Sequence, residues 1–324
     1  MRDRWGREIN YLRISVTDRC NLRCRYCMPE EGVERKSHEE ILRLEEIVRL
    51  LEVAVRLGLT RIRFTGGEPL VRRNFSYLVS RAAALPGVED LALTTNGVLL
   101  AEKAEELRQA GLRRINVSLD TLNPEKFAYI TRGGDLARVW AGIEAALSLG
   151  LEPVKVNVVI FRGFNEEEVE AFAALTRERP LHVRFIELMP VGQATDDGYR
   201  FIPVEEVLHR LSRLTPLEPV TVAGNGPAQY YRLPGSKGTV GFIAALSRPF
   251  CSNCNRLRLT ADGQLRPCLE SNFQVDLRGP LRSGASEEEL AECFYRAVAA
   301  KPWRHRFGHR AAEERRGGMW QIGG

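Results

Sequence analysis

The chain has 324 residues, 44% of them hydrophobic, and a net charge of +5. That length accommodates one large α/β domain and a smaller one. The modest charge, with no long basic run or basic–aromatic stripe, argues against a nucleic-acid partner. No stretch of 18 apolar residues predicts a membrane span, and the charged start "MRDRWGREINYLR" lacks the apolar run of a signal peptide, so a cytoplasmic location is expected. In that reducing setting seven cysteines favour metal ligation or thiol chemistry over disulfides.

From Ile9 to about Met189, short strands alternate with helical segments. The predicted strands, in chain order, are "YLRISVT", "RIRFTG", "DLALTTN", "RINVSLD", "PVKVNVVI" and "HVRFIELM". Between them lie helix-like stretches such as "EEILRLEEIVRLLEVAVRLG", "LLAEKAEELRQAG", "DLARVWAGIEAALSLG" and "NEEEVEAFAALTRE", several ending in the Gly that commonly stops a helix. Six such units predict an α/β chain folded as an incomplete (β/α)6 TIM-type barrel, since a closed one needs eight. After "MPVGQATDDGYRF" turn signals cluster and strands become short. Residues 1–200 are therefore read as the partial barrel, and residues 201–324 as a smaller C-terminal α+β domain with a helix near "SEEELAECFYRAVAA". The last ten residues, "RRGGMWQIGG", carry four glycines and no helical pattern, so a frayed end is the default expectation.

The strands are not the continuous apolar runs that parallel strands covered on both faces should show. Residues two apart share a face. Arg13, Ser15 and Thr17 therefore fall together, as do Arg61 with Arg63, Asn116 with Ser118, Lys155 with Asn157, and His182 with Arg184. A lone Arg in a strand ordinarily reaches water at an edge. Four strands repeating the pattern point instead to a cation-lined interior. Buried charges need partners, and inward carboxylates are too few. A bound anion such as a polyphosphate is the expected counter-charge, each close pair having a gross attraction of roughly 4 kcal/mol before desolvation.

Cys20, Cys24 and Cys27 follow the first strand directly, at the end where barrel active sites are built. A structural zinc ion needs four ligands, and no fourth is close. A 4Fe–4S cluster tolerates three thiolates and leaves one iron open. A second triad, Cys251, Cys254 and Cys268, is likewise one ligand short. A second open cluster or a zinc clip completed by Cys293 or a nearby His would both account for it, although Cys293 sits in an amphipathic helix where a core role suits it better.

"CNLRCRYC" resembles the CxxxCxxC motif of radical S-adenosylmethionine (radical SAM) enzymes, and "FTGGEPLV" resembles their GGEP motif. With "MPEEG", "TTNG", "NVSLDTLNPEKF", "NRLRLTADG" and the terminal "GG" in order, the chain resembles the GTP 3′,8-cyclases of molybdenum cofactor biosynthesis from about residue 7 to its end. The resemblance implies two 4Fe–4S clusters, S-adenosyl-L-methionine (SAM) as cofactor and GTP as substrate. Cys20, Cys24 and Cys27 would hold the first cluster, with Tyr26, Gly66, Gly67, Glu68, Ser118 and Met189 at SAM. Arg13, Arg63, Thr94 and Lys155 would bind GTP, with Arg61 (often Lys in the family) and Arg184 as further triphosphate contacts. Arg256, Leu257 and Arg258 would reach the guanine nucleotide, and Cys251, Cys254 and Cys268 would hold the cluster that takes the base. The family's Gly-Gly tail, here Gly323 and Gly324, would enter the active site. Implied too are a lyase or cyclase reaction in which a 5′-deoxyadenosyl radical takes the C3′ hydrogen and C3′ attacks C8, a reductant such as flavodoxin or ferredoxin, hand-over to cyclic pyranopterin monophosphate synthase, and a homodimer. A radical SAM peptide maturase with an auxiliary cluster, or a zinc-stabilised binding module without catalysis, are the alternatives. Neither of them explains the row of cations.

Overall fold

The computed structural model describes residues 1–34, 36–195, 200–307 and 318–322. All six predicted strands form: β1 (Tyr11–Ser15), β2 (Arg61–Thr65), β3 (Asp90–Thr95), β4 (Arg114–Ser118), β5 (Val154–Arg162) and β6 (Leu181–Glu187). They pair in parallel in chain order. Connecting them are α1 (Leu44–Arg56), α2 (Phe75–Ala83), α3 (Leu100–Gln109), α4 (Pro124–Thr131), α5 (Leu136–Ser148) and α6 (Val169–Glu178). The apolar strand face, including Leu12, Ile14, Ile62, Phe64, Leu93, Val117, Val156 and Phe185, joins Ile47, Leu51, Leu78, Val139 and Phe172 of the helices in one core. Full burial of such side chains contributes about 1.5–3 kcal/mol each. With that face committed to the helices, the other faces the barrel interior.

The C-terminal stretch supplies β7 (Arg200–Phe201), β8 (Glu218–Val220), β9 (Gln229–Arg232), β10 (Thr239–Ile243), β11 (Arg256–Leu259), β12 (Gln264–Arg266) and β13 (Val275–Asp276). Its helices are α7 (Val204–Leu214), α8 (Arg278–Arg282), α9 (Glu287–Ala299) and α10 (Met319–Ile322). β10 pairs in parallel with β6, and β11 in parallel with β1. The in-order arc thus gains one parallel strand on each flank, both drawn from sequence far downstream, before antiparallel β9–β8 and β12–β13 finish the margins. Among the described residues no ladder joins β10 to β11, so the barrel stays open there.

Three local differences from the sequence reading have physical causes. α1 starts at Leu44, later than the apolar pattern suggests, because Leu42 is tied down as extended chain: its N–H donates to the Ala261 carbonyl at 2.8 Å and its carbonyl accepts Arg72 Nη2 at 2.6 Å. α7 went unpredicted in a turn-rich region, although Val204, Val207 and Leu211 mark one buried helical face. The end of the chain is not frayed through residues 318–322. Ile322 is buried, 2% exposed, and its carbonyl accepts Arg258 Nη1 at 3.4 Å.

Candidate active site

The strand register assembles the interior cations into neighbours. Arg13 pairs with Arg258 on one side and Arg63 on the other, Lys155 with Asn116, and Arg184 with Asn157. Arg13, Arg63, Arg184, Arg256 and Arg258 line a cavity of about 1100 Å³, mouth included. Lys155 (1% exposed) and Arg184 (3% exposed) are buried in the lumen wall. Arg184 donates to Asn116 Oδ1 at 2.8 Å and to Asn157 Oδ1. The Arg63 and Arg256 guanidinium groups lie 5.6 and 5.8 Å from the centroid of the Tyr11 ring. Burial and mutual repulsion weaken these charges. Burial, then Arg184, Arg114 and Arg63, push Lys155 down to about 6. Burial leads the causes that bring Arg63 and Arg258 down to about 10.

The lumen carboxylate Asp90 is already taken by Arg114, whose Nε donates to it at 2.6 Å. Buried Nε atoms of Arg63, Arg184 and Arg256, and Thr94 Oγ1, have no hydrogen-bond partner among the described residues. Buried donors without acceptors are costly, so this wall fits an anionic ligand rich in oxygens. The floor is a turn at Ala223–Gly226. Lys155 Nζ donates to Ala223 O, and Arg61 Nη1 donates to Asn225 Oδ1 at 2.6 Å. Gly224 has φ +122°, and a Cβ there would lie 2.9 Å from both Arg114 Nη1 and Lys155 Nζ. Only glycine suits that turn.

The first triad lies on the loop after β1. Gly67 N–H donates to Thr17 O and Glu68 N–H to Arg19 O, both at 2.8 Å, which presses the GGEP turn onto this loop. A Cβ on Gly67 would sit 2.4 Å from Arg19 O, so the glycine permits the close approach. Leu22 N–H points at Cys20 Sγ at 3.4 Å, Asn96 Nδ2 lies 3.8 Å from the same sulfur, and the Trp320 backbone N–H reaches Cys27. Burial, with Glu68 adding to it, pushes Cys20 up to about 11. Burial and Cys20 push Cys27 up to about 12. Burial, its two partner thiols and Asp120 raise Cys24 as well. Unaccompanied thiolates are therefore unfavourable here, and iron would supply the missing positive charge.

The second triad is assembled by a hairpin. Cys251 and Cys254 precede β11, the chain returns through β12, and Cys268 follows it. All three thiols line the same cavity as the arginines. Burial opposes ionisation of Cys254, but Lys301 and Arg256 outweigh it and bring the thiol down to about 7. The His305 backbone N–H reaches Cys251. Among the described residues no three His, Cys, Asp or Glu side chains converge on a single-ion site. Three thiols, one ligand short of a tetrahedral zinc site and with N–H donors to sulfur in each triad, fit an iron–sulfur cluster better than a lone zinc ion.

Of the sequence-predicted residues, Arg13, Arg63, Arg184, Arg256, Arg258, Met189 and the second cysteine triad line this cavity, whereas Cys20, Cys24, Cys27, Tyr26, Gly66, Gly67, Thr94 and Lys155 are not among its lining residues. Met189 lines the cavity beside the second triad. Tyr26 holds Asp120 Oδ2 at 2.7 Å and packs on Phe161 near the first, and Ser118 pairs with the cavity residue Asn157. Three further predicted residues have side chains engaged elsewhere. Leu257 is fully buried in the apolar core, on the strand face opposite Arg256 and Arg258, so only its backbone could meet a ligand. Glu68's carboxylate already accepts Leu70 N–H, Thr95 Oγ1 and Asn96 N–H at 2.6–3.0 Å, which makes it a brace for the turn. Arg61 reaches the rim, 3.4 Å from Glu89. Gly323 and Gly324 lie outside the described residues. Cys293 is buried within α9, as a core residue. Sequence reasoning missed Asp120, Tyr11, Arg7 and Lys301, whereas it places Asn157 on the inward face with Lys155.

A family model described as the Radical SAM superfamily matches residues 14–176, and one described as Molybdenum Cofactor Synthesis C matches residues 181–307. The GTP 3′,8-cyclase of Moorella thermoacetica is 57% identical over 325 residues, covering 100% of both chains. That of Pelotomaculum thermopropionicum is 56% identical over 327 residues, again covering 100% of both. Among solved structures, Streptococcus suis SuiB bound to S-adenosylmethionine superposes with a TM-score of 0.59 at 14% identity, over 86% of this chain and 66% of that one, a likeness of fold alone.

Proposed function

The chain belongs to the GTP 3′,8-cyclases, within the radical SAM superfamily, and from that premise we propose how its own residues divide the work. The function is radical SAM cyclisation of GTP in molybdenum cofactor biosynthesis. One observation carries the residue assignment: a single cavity is lined by three cysteines and five arginines.

In this reading Cys20, Cys24 and Cys27 hold the SAM-binding cluster, and Cys251, Cys254 and Cys268 a second 4Fe–4S cluster that receives the guanine. Tyr26, Gly66, Gly67, Ser118 and Met189 contact SAM, with Glu68 bracing the turn that presents Gly66 and Gly67. Arg13, Arg63, Lys155 and Arg184 take the triphosphate, with Thr94 beside them and Arg61 at the rim. Arg256 and Arg258 reach the nucleotide from the β11 side. When bound, the first cluster and SAM would supply the radical chemistry at ribose C3′, and the lumen residues would hold the nucleotide in place for it. Held at its phosphates and its base, the ribose cannot swivel. Fixing the reacting geometry in this way supplies on the order of 7–11 kcal/mol. A buried lumen also keeps water from the radical.

Residues 1–200 would serve as the SAM half and 201–324 as the base-binding half, with Gly323 and Gly324 at the active site. A lyase-type reaction, a flavodoxin or ferredoxin reductant, hand-over to cyclic pyranopterin monophosphate synthase and a homodimer complete the reading. No helix is long and apolar enough to cross a membrane among the described residues. Seven free cysteines suit the reducing cytoplasm. The peptide-maturase alternative has only a fold likeness behind it.

Titration of the reconstituted protein with GTP, GDP and GMP tests the assignment. Affinity should fall at least tenfold with each phosphate removed, since charge-assisted hydrogen bonds contribute about 1.5–3 kcal/mol. The Lys155→Ala protein should lose most of that gradient. Equal affinity for all three nucleotides would overturn the assignment of the lumen cations.

A further inference from the structure

Lys301 follows α9 in "KPWRH" and is 2% exposed. Its ammonium has three protons and three acceptors. Nζ donates to Arg256 O and to Pro267 O, each at 2.7 Å, and also to the Cys254 thiol. Arg256 lies two residues after Cys254, and Pro267 immediately precedes Cys268. One side chain therefore joins the two arms of the second triad and sets its ammonium, lowered in pKa by burial but supported by Cys254 and Cys268, beside one of its sulfurs.

The same segment is anchored from the far end of the chain. Arg7 donates to Cys251 O at 2.6 Å, Pro302 O at 2.7 Å and Trp303 O at 3.1 Å, while Asp3 takes its Nε at 2.7 Å. Trp5 Nε1 donates to Lys301 O at 3.1 Å. Asp3 neutralises Arg7 locally, and Lys301 has no carboxylate bonded to it among the described residues. Its charge is directed at the thiols.

We propose that Lys301 is a positioning residue for the second cluster: it fixes the spacing of Cys254 and Cys268, and its ammonium raises the reduction potential of the cluster they would hold. The proposal rests on the reading that this triad binds a cluster. Positive charge and hydrogen bonds at a ligating sulfur stabilise the more negative, reduced state, and these are the levers that set such potentials.

The test compares wild type with Lys301→Arg, Lys301→Gln and Lys301→Met after anaerobic reconstitution. Each is assayed for iron per chain and titrated potentiometrically, the signal unaffected by SAM being assigned to the second cluster. The first cluster is the internal control and should not move. Lys301→Arg, which keeps the charge, should stay near wild type. Lys301→Gln, which keeps N–H donors but not the charge, and Lys301→Met should lower the second potential, so that the ratio of reduced to oxidised cluster falls at least tenfold at fixed potential, or about 59 mV for one electron. Loss of the second cluster from the Gln and Met proteins with retention in the Arg protein would equally support the proposal. An unmoved potential in Lys301→Gln, or equal loss of iron from all three variants, would overturn it. Wild type carrying only about four irons would instead refute the two-cluster reading on which it rests.

Discussion

The two cysteine triads differ in the charges nearest them: Glu68 and Asp120, with Arg23, at the first, and Lys301 and Arg256 at the second, although burial raises Cys251 there as well. The first sits beside Glu68 and Asp120, with thiols pushed up to about 11 at Cys20 and about 12 at Cys27, burial being the main cause. The second sits beside Lys301, Arg256 and the lumen arginines, and Cys254 is drawn down to about 7 against its burial. An anionic setting favours the oxidised cluster and makes its reduced form a strong donor. A cationic setting favours retention of an electron and attracts an electron-rich ligand. In the proposed reading, that contrast would suit the first triad to an electron-donating cluster and the second to one that holds the substrate.

The largest effects should come from removing thiols. Cys24→Ser and Cys254→Ser should each lose about four of about eight irons. Their activities should then diverge. Cys24→Ser should form no 5′-deoxyadenosine at all, whereas Cys254→Ser should still cleave SAM slowly without yielding cyclised nucleotide. Identical losses in both assays would erase the division of labour.

Next in size is Lys155→Met, which should weaken GTP binding about 10–100-fold, the loss of one or two charge-assisted hydrogen bonds. Lys155 also carries a pH signature. Its pKa in the ligand-free fold is lowered to about 6, so above that pH it is neutral until a phosphate draws a proton back. GTP affinity should therefore decline as pH rises above about 6, and calorimetry in buffers of different ionisation enthalpy should find close to one proton taken up at pH 7.5, absent in Lys155→Met. The unfolded chain keeps this proton up to about 10.4, so the residue's contribution to stability rises with pH between about 6 and 10 while affinity falls.

A smaller shift should follow Asp120→Asn. Neutralising a carboxylate beside Cys24 should raise the potential of the first cluster, the mirror image of the Lys301 experiment, and leave the second unmoved in a potentiometric titration. The smallest effect is Tyr26→Phe, which removes the 2.7 Å hydrogen bond to Asp120 and should cost about 1 kcal/mol in denaturant unfolding.

How much of this was legible in the sequence depended on how local the signal was. The six in-order strands and their cationic faces could be read because a period-two alternation such as Lys155, Val156, Asn157, Val158 is written into adjacent residues. The two cysteine triads were legible for the same reason of spacing. Flanking strands β10 and β11 were not, because their pairing with β6 and β1 is a long-range event in a turn-rich stretch. Leu257 was included with its neighbours until the strand placed it on the opposite face. The start of α1 gave way to a tertiary hydrogen bond at Leu42, and the seat of Ile322 against Arg258 had no pattern to announce it. Arg7 acts through backbone carbonyls nearly the whole chain away and Lys301 through carbonyls 45 and 34 residues back, relations no short motif records.

The central claim is that both cysteine centres serve a single nucleotide held in the cation-lined lumen. The most direct measurement is anaerobic turnover with dithionite, SAM and GTP deuterated at C3′, followed by mass analysis of both products. The account predicts 5′-deoxyadenosine carrying one deuterium, together with a cyclised nucleotide that has lost it. Unlabelled 5′-deoxyadenosine, with GTP recovered intact, would contradict it.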